Sequence, residues 1–219
     1  MEKFYPILEK CSLFDGIESK QLSALLGCLQ ARVEEFDKKY TVMAEGTPAK
    51  YLGILLSGAL QISRTDYGGN RSLLATVEPG ELFAEAFACA EVRDLPVTVT
   101  ADEPSRVMLI NCRHILHTCS NSCAFHRQLI LNLMKSLAEK NLRFHQRLEV
   151  TSQRSTREKL LTYLSLQAKT AGSSRFSIPL DRQELADYLE VERSGLSAEI
   201  GKLQREGVLI SRKREFELL

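Results

Sequence analysis

The stretch Asp181-Arg182-Gln183-Glu184-Leu185-Ala186-Asp187-Tyr188-Leu189-Glu190-Val191-Glu192-Arg193-Ser194-Gly195-Leu196-Ser197-Ala198-Glu199-Ile200-Gly201-Lys202-Leu203-Gln204-Arg205 carries two short helical patterns separated by three residues. Asp181-Arg182-Gln183-Glu184 reads as a capping box, in which the aspartate accepts from the backbone at a helix start and the glutamate reaches back. It opens a helix whose apolar residues are Leu185, Ala186 and Leu189. Glu190-Val191-Glu192 supplies a turn, and Arg193 to Arg205 resumes as a helix with Leu196, Ile200 and Leu203 on one face. Two short helices, a tight turn and a small residue, Ala186, at their crossing match a helix-turn-helix.

The flanks extend that reading. Phe176-Ser177-Ile178-Pro179-Leu180 before it reads as a short strand. After it, Gly207-Val208-Leu209-Ile210 and Glu215-Phe216-Glu217-Leu218 bracket Arg212-Lys213-Arg214, which reads as a hairpin wing with a basic tip. In this arrangement Arg193, Ser194 and Ser197 stand on the solvent face near the start of the second helix, where base edges in a major groove are within reach. An arginine there can fork onto guanine O6 and N7, a contact that discriminates by about 1–3 kcal/mol. Lys202, Arg205 and the wing cations Arg212, Lys213 and Arg214 suit phosphates, which give affinity without reading sequence, and Arg182 is a further candidate DNA contact.

Bulk charge does not carry this reading. The chain has 29 Lys and Arg against 28 Asp and Glu, and residues 151–219 hold 12 against 10. A case for nucleic acid therefore rests on where the cations sit.

Upstream, Ser155-Thr156-Arg157-Glu158 is a second capping box, opening a helix through Leu160, Leu161, Leu164 and Leu166 that ends near Gly172. It marks a break near Arg154 in a longer helix. From Cys123 to about Thr151 there is neither Gly nor Pro, and Ile130, Met134, Leu137, Asn141, Phe144 and Leu148 recur at alternating four- and three-residue steps. That alternation keeps one stripe in register along a paired helix, so these residues are the expected dimerisation seam, with Asn141 fixing register at some cost in stability. Leu129, Leu133 and Leu142 form a second stripe, expected to lie on the chain's own N-terminal domain.

Between about Ala31 and Asn111 the pattern is different. Short β-rich runs (51–56, 59–64, 73–77, 97–101 and 106–110) alternate with the turn clusters Glu45-Gly46-Thr47-Pro48, Ser57-Gly58, Asp66-Tyr67-Gly68-Gly69-Asn70 and Glu78-Pro79-Gly80-Glu81. Many short strands with Gly/Pro turns predict a β-sandwich or β-roll. Before it, Ser12-Leu13-Phe14-Asp15-Gly16 is a turn, and Ile17 to Leu29 is an amphipathic helix with Leu22, Leu25, Leu26 and Leu29 on one face. The expected class is α+β: a β-roll (jelly roll) at residues 1–122, a dimerisation helix and hinge at 123–153, and a winged helix-turn-helix at 154–219.

No run of about 18 apolar residues occurs, which argues against a membrane span. Met1-Glu2-Lys3-Phe4-Tyr5-Pro6 lacks a basic region followed by an apolar one, so the expected location is cytoplasmic. The six cysteines, Cys11, Cys28, Cys89, Cys112, Cys119 and Cys123, contain no CxxC pair, so they are expected to be free thiols rather than zinc ligands.

This order of elements resembles the cyclic-AMP receptor protein/Fnr (Crp/Fnr) superfamily over essentially the whole chain. Ser12-Leu13-Phe14 with the leucine helix is similar to that family's N-terminal lead-in. Leu56-Ser57-Gly58-Ala59-Leu60 and Pro79-Gly80-Glu81-Leu82-Phe83-Ala84-Glu85 resemble its β-roll turns, and Asp181 to Leu203 its helix-turn-helix. The resemblance implies an effector-responsive transcription regulator, a homodimer on a pseudo-palindromic double-stranded operator, with RNA polymerase as a further partner; a part in activation is expected, although the sequence does not separate it from repression. No enzymatic activity is expected of it.

The departures bear on the effector. In cyclic-AMP-binding members a Gly-Glu pair holds the ribose and an Arg-Ser pair the cyclic phosphate. Here Glu85 matches the acidic position, Ala84 stands for the Gly, and Leu95-Pro96 stands for the Arg-Ser. A phosphodiester in a half-buried pocket needs a cation or several N–H donors. Leu95 has no side-chain donor and Pro96 lacks a backbone N–H, so the sequence argues against cyclic AMP. Glu85, Ala84, Leu95, Pro96, Val97 and Phe144 remain the candidate effector-binding positions, for an effector left unknown.

With only Cys11 and Cys28 near the N-terminus, the cysteine spacing also disfavours the iron–sulfur centre of oxygen-sensing members, while Cys112, Cys119 and Cys123 leave a redox role open. Haem ligation through His114, His117, His126 or His145 is likewise disfavoured, and no metal site is expected. Family members often carry Arg after the residue matching Ser197; Ala198 stands there, so the operator is expected to differ. Gly195 and Gly201 each weaken the recognition helix by about 1 kcal/mol relative to Ala. Two rival readings remain. A cupin-like metalloenzyme would need His and carboxylate ligands on the roll, yet the first histidine is His114. A sensor or adaptor acting through protein partners draws support from the near-neutral C-terminal charge.

Overall fold

A computed structural model of the chain describes residues 2–69, 71–116 and 124–219. The chain forms two compact units, Met1–Glu139 and Lys140–Leu219.

In the first unit a short helix α1 (Tyr5–Leu8) and α2 (Ser19–Cys28) precede strands β1 (Arg32–Phe36), β2 (Thr41–Met43), β3 (Tyr51–Ser57), β4 (Leu60–Thr65), β5 (Arg71–Val77) and β6 (Leu82–Phe83). Helix α3 (Glu85–Cys89), strands β7 (Thr98–Ala101) and β8 (Ser105–Asn111), and helix α4 (Cys112–Leu116) follow. The strands make two four-stranded antiparallel sheets, in the orders β1-β8-β3-β6 and β2-β7-β4-β5. Leu55, Val107 and Leu109 from the first sheet and Leu60, Val77, Val99 and Ala101 from the second share one core.

Strand β3 shows how the sequence produces two cores. Side chains alternate along a strand, so Leu55 points into the roll while Leu52, Ile54 and Leu56 join a second core with Leu8, Leu22 and Leu29 of the helices. Buried on both sides, β3 reads as a continuous apolar run rather than an alternating one. Gly53 lies against the Phe83 ring, where an added Cβ would come within 2.1 Å of the ring. Only a residue without a side chain lets β3 and β6 approach this closely.

The expected strands form with ends shifted by a residue or two, whereas β1, β2, β6 and α3 have no counterpart among the predicted elements. The last two are too short for periodicity to show. Ala84, the residue between them, adopts the left-handed conformation with φ 59°.

The long helix α5 (Ala124–Thr151) contributes to both units. Leu129 and Leu133, two of the residues expected to lie on the N-terminal domain, are buried in the helical core of the first unit, and Val150 in the core of the second. Buried Asn132 donates through Nδ2 to Leu13 O at 2.9 Å and Asp15 O at 2.8 Å, holding the N-terminal turn. Of the expected seam, Met134, Asn141, Phe144 and Leu148 are exposed, whereas Ile130 and Leu137 are partly buried against the first unit's core. Leu142 corrects the expected second stripe: it is 63% exposed, not packed on the roll. At 3.6 residues per turn, a position nine or thirteen residues beyond Leu133 and Leu129 has rotated off their face.

The second unit continues with α6 (Thr156–Ala171), β9 (Arg175–Ser177), α7 (Arg182–Leu189), α8 (Arg193–Arg205), β10 (Leu209–Arg212) and β11 (Glu215–Leu218). Both capping boxes form. The Glu158 N–H donates to Ser155 Oγ (3.2 Å) while the Ser155 N–H donates to Glu158 Oε2 (3.1 Å). At α7 the Gln183 and Glu184 N–H groups donate to Asp181 Oδ1, and the Asp181 N–H donates to Glu184 Oε2. Strand β9 is shorter than the predicted run to Leu180, as Pro179 has no N–H to donate.

Candidate functional site

Helices α7 and α8 cross through Leu185, Ala186, Leu189, Leu196, Ile200 and Leu203, which are buried with Leu160, Leu164 and Phe216. Ala186 has no exposed surface, in keeping with its place at the crossing. The turn between the helices holds Glu190 at φ 55°, and Lys159 of α6 donates through Nζ to Leu189 O at 3.0 Å. Carbonyls left without a partner at the end of a helix are thus met by a cation, which the helix dipole also favours.

This packing leaves the other face of α8 outside. Arg193, Ser194 and Ser197 are all exposed in its first turns, and Lys202 and Arg205 are exposed in its last. Ser197 Oγ donates to Arg193 O at 2.9 Å, so its proton is committed and its lone pairs face outward. The α8 helix is tied to the wing by the Ser211 N–H, which donates to Gln204 Oε1 at 2.9 Å.

The wing is the antiparallel pair β10–β11, extended by β9, with Arg212 opposite Glu215. Its two-residue tip is Lys213-Arg214, and Lys213 sits at φ 56°, a backbone region that favours glycine and costs other residues about 1 kcal/mol or more. Arg214 lies 3.6 Å from Glu184 across the cap of α7. Between wing, cap and recognition helix lies a cleft of about 980 Å³, lined by Arg182, Arg193, Arg212, Lys213 and Arg214 together with Ser177, Asp181, Gln183 and Glu215. Five cations face two carboxylates there.

The domain's near-zero balance therefore hides a segregation. Glu199 and Glu206 are engaged by Arg157, at 3.6 and 2.7 Å, and Glu190 by Arg147 at 3.7 Å, away from the cleft. Arg182 differs from the other cations. Its guanidinium lies over the Phe216 ring at 5.7 Å and donates through Nη2 to Ser211 Oγ at 3.2 Å, while Nη1 is buried without a hydrogen-bond partner. Burial, and then the Arg193 charge, lower its pKa from the usual arginine value. Sequence reasoning placed Arg182 among the candidate DNA contacts but missed this packing on Phe216, and missed Gln183 and Ser177, which carry no charge signal.

In the first unit the candidate effector positions sit around α3. Glu85 begins that helix and is 3% exposed, Ala84 precedes it, and Leu95 and Val97 are buried while Pro96 is exposed. The Leu95 N–H donates to Thr47 O, and Leu95 O accepts from the Gly46 N–H, both at 2.9 Å. Neither side chain nor backbone at 95–96 thus offers a donor to an anion. Phe144 belongs to the second unit, where it is 66% exposed.

His126 Nε2 lies 2.8 Å from His114 O, and His114 Nδ1 lies 3.1 Å from Leu29 O, so each ring is occupied by a backbone carbonyl. Among the described residues no group of three or more His, Cys, Asp or Glu side chains could hold a metal ion. His117, Cys119 and Cys123 lie outside them. Cys11 and Cys112 are buried, Cys89 is half-buried and Cys28 is exposed. Among the described residues no helix is long and apolar enough to cross a membrane.

A β-roll of this topology joined to a winged helix-turn-helix with an exposed basic reading face defines a class, that of sensor-linked helix-turn-helix proteins. The comparisons with known proteins agree. Residues 33–122 match the cyclic nucleotide-binding domain and residues 158–219 the Crp-like helix-turn-helix domain. The chain belongs to the Crp/Fnr family of transcription regulators.

Over 79 residues it is 35% identical to the CRP-like cAMP-activated global transcriptional regulator of Mycobacterium tuberculosis, a match covering 36% of this chain and 34% of that relative. The match thus spans about a third of that relative's length. The global nitrogen regulator of Synechocystis is 23% identical over 185 residues, covering 82% of this chain and 80% of that protein. Among solved structures, the sensor domain of the regulator DNR from Pseudomonas aeruginosa is similar at 25% identity and a TM-score of 0.52, covering 68% of this chain and 94% of that one.

Proposed function

We propose that this protein is an effector-responsive, sequence-specific DNA-binding transcription regulator that acts in the cytoplasm as a homodimer. The observation that carries the reading is the exposed set Arg193, Ser194 and Ser197 at the start of a helix whose opposite face is buried. In this reading Arg193 reads guanine in the major groove, Ser194 accepts from or donates to a neighbouring base edge, and Ser197, whose proton is committed to Arg193 O, accepts from one. Arg212, Lys213, Arg214, Lys202 and Arg205 meet phosphates, and Arg182 holds the wing against α7 and α8. Arg182 and Arg193 are close enough for one charge to depress the other's pKa, a repulsion that an anion in the cleft relieves.

Two copies pair along Met134, Asn141, Phe144 and Leu148, the exposed part of the heptad stripe, extended by Ile130 and Leu137. This sets two recognition helices about 34–36 Å apart on a pseudo-palindrome. RNA polymerase is the expected further partner. The effector binds in the first unit, near Glu85, Ala84, Leu95, Pro96 and Val97. It is a molecule other than cyclic AMP, because positions 95–96 offer no donors. It acts by preferring one arrangement of the paired helices over the other.

The test is a gel shift against DNA upstream of the gene, with operator selection from a random library. A selected palindrome bound by wild-type protein, and not preferred by Arg193→Ala, supports the reading. Arg193→Ala protein that keeps its operator preference, or a strictly monomeric chain, overturns it.

A further inference from the structure

Two cysteines that the DNA-binding reading does not use lie together in the first unit. Cys89 ends α3 and Cys112 begins α4, 23 residues apart in sequence, with their sulfurs 3.2 Å apart. A disulfide needs about 2.05 Å between sulfurs, so closing the pair takes a movement of about 1 Å, within reach of small side-chain rotations. The pair is asymmetric. Cys112 is buried and Cys89 half-buried. A hydrogen bond from the Cys112 thiol holds the Cys89 pKa below the ordinary cysteine value, against burial and the Glu85 charge. The same bond, with burial, pushes Cys112 up.

A groove of about 580 Å³, lined in part by Pro48, Ala88, Glu91, Val92 and Cys112, brings solvent to this corner. Glu91 and Arg113 close one side, with Arg113 Nε donating to Glu91 Oε1 at 3.0 Å.

We propose that Cys89 and Cys112 form a reversible thiol–disulfide site, oxidised by a hydroperoxide and reduced by a thiol reductant. The thiolate is the nucleophile, and of the two residues Cys89 is the less buried and the one whose thiolate the Cys112 hydrogen bond favours. Cys89 sulfur attacks one peroxide oxygen, the O–O bond breaks, and hydroxide leaves to combine with the proton Cys89 had released. Cys89 becomes a sulfenic acid. Cys112 sulfur then attacks that sulfur: the S–S bond forms, the S–O bond breaks, and water leaves with the Cys112 proton. Two thiols are oxidised by two electrons, and one hydrogen peroxide is reduced to two waters. The product staples α3, whose first residue is Glu85, to α4 at the end of β8, so oxidation restrains the candidate effector region directly.

The chemistry is read out without DNA, so its outcome is independent of the regulator assignment. Wild-type, full-length protein is treated with hydrogen peroxide, alkylated and digested with trypsin, which leaves Cys89 in peptide 72–93 and Cys112 in peptide 107–113. The expected result is a linked pair of these peptides, the loss of two of the six thiols in the chain, and recovery of both with dithiothreitol. In Cys112→Ala the Cys89 sulfenic acid should persist and be trapped by dimedone; in Cys89→Ala, Cys112 should remain a thiol. Cys89 oxidised to sulfinic acid beside an intact Cys112 thiol in the wild type, linkage of either peptide to another cysteine, or two unreacted thiols would overturn the proposal. The wild-type map decides the matter even if a variant fails to fold.

Discussion

The two units of this chain solve opposite problems. The second must offer chemistry to a large outside partner, and it does so from local elements. Between Ser155 and Arg214, two capping boxes start helices, one small residue permits their crossing, and a hairpin raises three cations. In the first unit the candidate effector positions come from a turn, a five-residue helix and the segment 95–97, where Leu95-Pro96 offers no donor to an anion. A reading face is specified by what points outward from regular structure. A pocket is specified by side chains converging from segments distant in sequence, and single substitutions redefine its ligand. The same family membership therefore says more about the partner of the second unit than about that of the first.

The comparison can be broken most sharply at the cores. If the two units hold separate cores, Phe216→Ala should destabilise the second by about 3–5 kcal/mol and leave the first unchanged. Calorimetry should show one transition moving away from the other; a common shift would show that the units do not unfold separately. Next comes the reading face. Arg193→Ala should reduce the ratio of operator to non-specific binding by about 5- to 160-fold, as expected for about 1–3 kcal/mol, while salt-sensitive residual binding persists. Competition titrations measure the ratio.

Smaller effects sharpen the contrast. Ala84 occupies a left-handed conformation at φ 59°, so Ala84→Gly should stabilise the β-roll by up to about 1 kcal/mol, seen as a higher urea midpoint at constant slope. The same variant should gain no calorimetric signal with cyclic AMP, because Leu95-Pro96 still presents no donor; a gain would show that glycine alone had been missing. The smallest effect concerns acid. The Glu184 N–H lowers the Asp181 pKa most; desolvation opposes it, and the Gln183 N–H and the Arg214 charge add to the lowering. A lowered folded-state value contributes stability above the unfolded aspartate value of about 3.9, which is lost as pH falls through the folded one. Asp181→Asn should therefore flatten that part of the second unit's acid titration, followed by circular dichroism below about pH 4.

How much of this was legible in the sequence follows from range. Helix α8 begins at Arg193 and ends at Arg205, as its spacing predicts, because caps and periodicity are local signals. The exposure of Arg193, Ser194 and Ser197 follows from the burial of Leu196, Ile200 and Leu203 on the other face. The seam is legible only in part. A helix apolar on several faces does not say which face meets which neighbour, so Ile130 and Leu137 prove partly covered and Leu142 uncovered. The conformation of Ala84, the commitment of the Leu95 N–H to Thr47, and the meeting of Cys89 with Cys112 all depend on segments brought together by the sheets. No spacing rule reaches them. Arg182 shows both sides: its charge marks the right cleft, and only the coordinates show it resting on Phe216.

Lys213 has a consequence for the history of the wing. Its backbone angle suits Gly or Asn better than lysine, while its cation suits a polyanion. Fitness for folding and fitness for grip thus pull one codon in opposite directions. On the DNA-binding reading proposed above, a lineage screened only for yield or heat tolerance should drift toward Gly or Asn at 213 and release DNA at lower salt, whereas one selected for binding keeps the lysine and tolerates the kink.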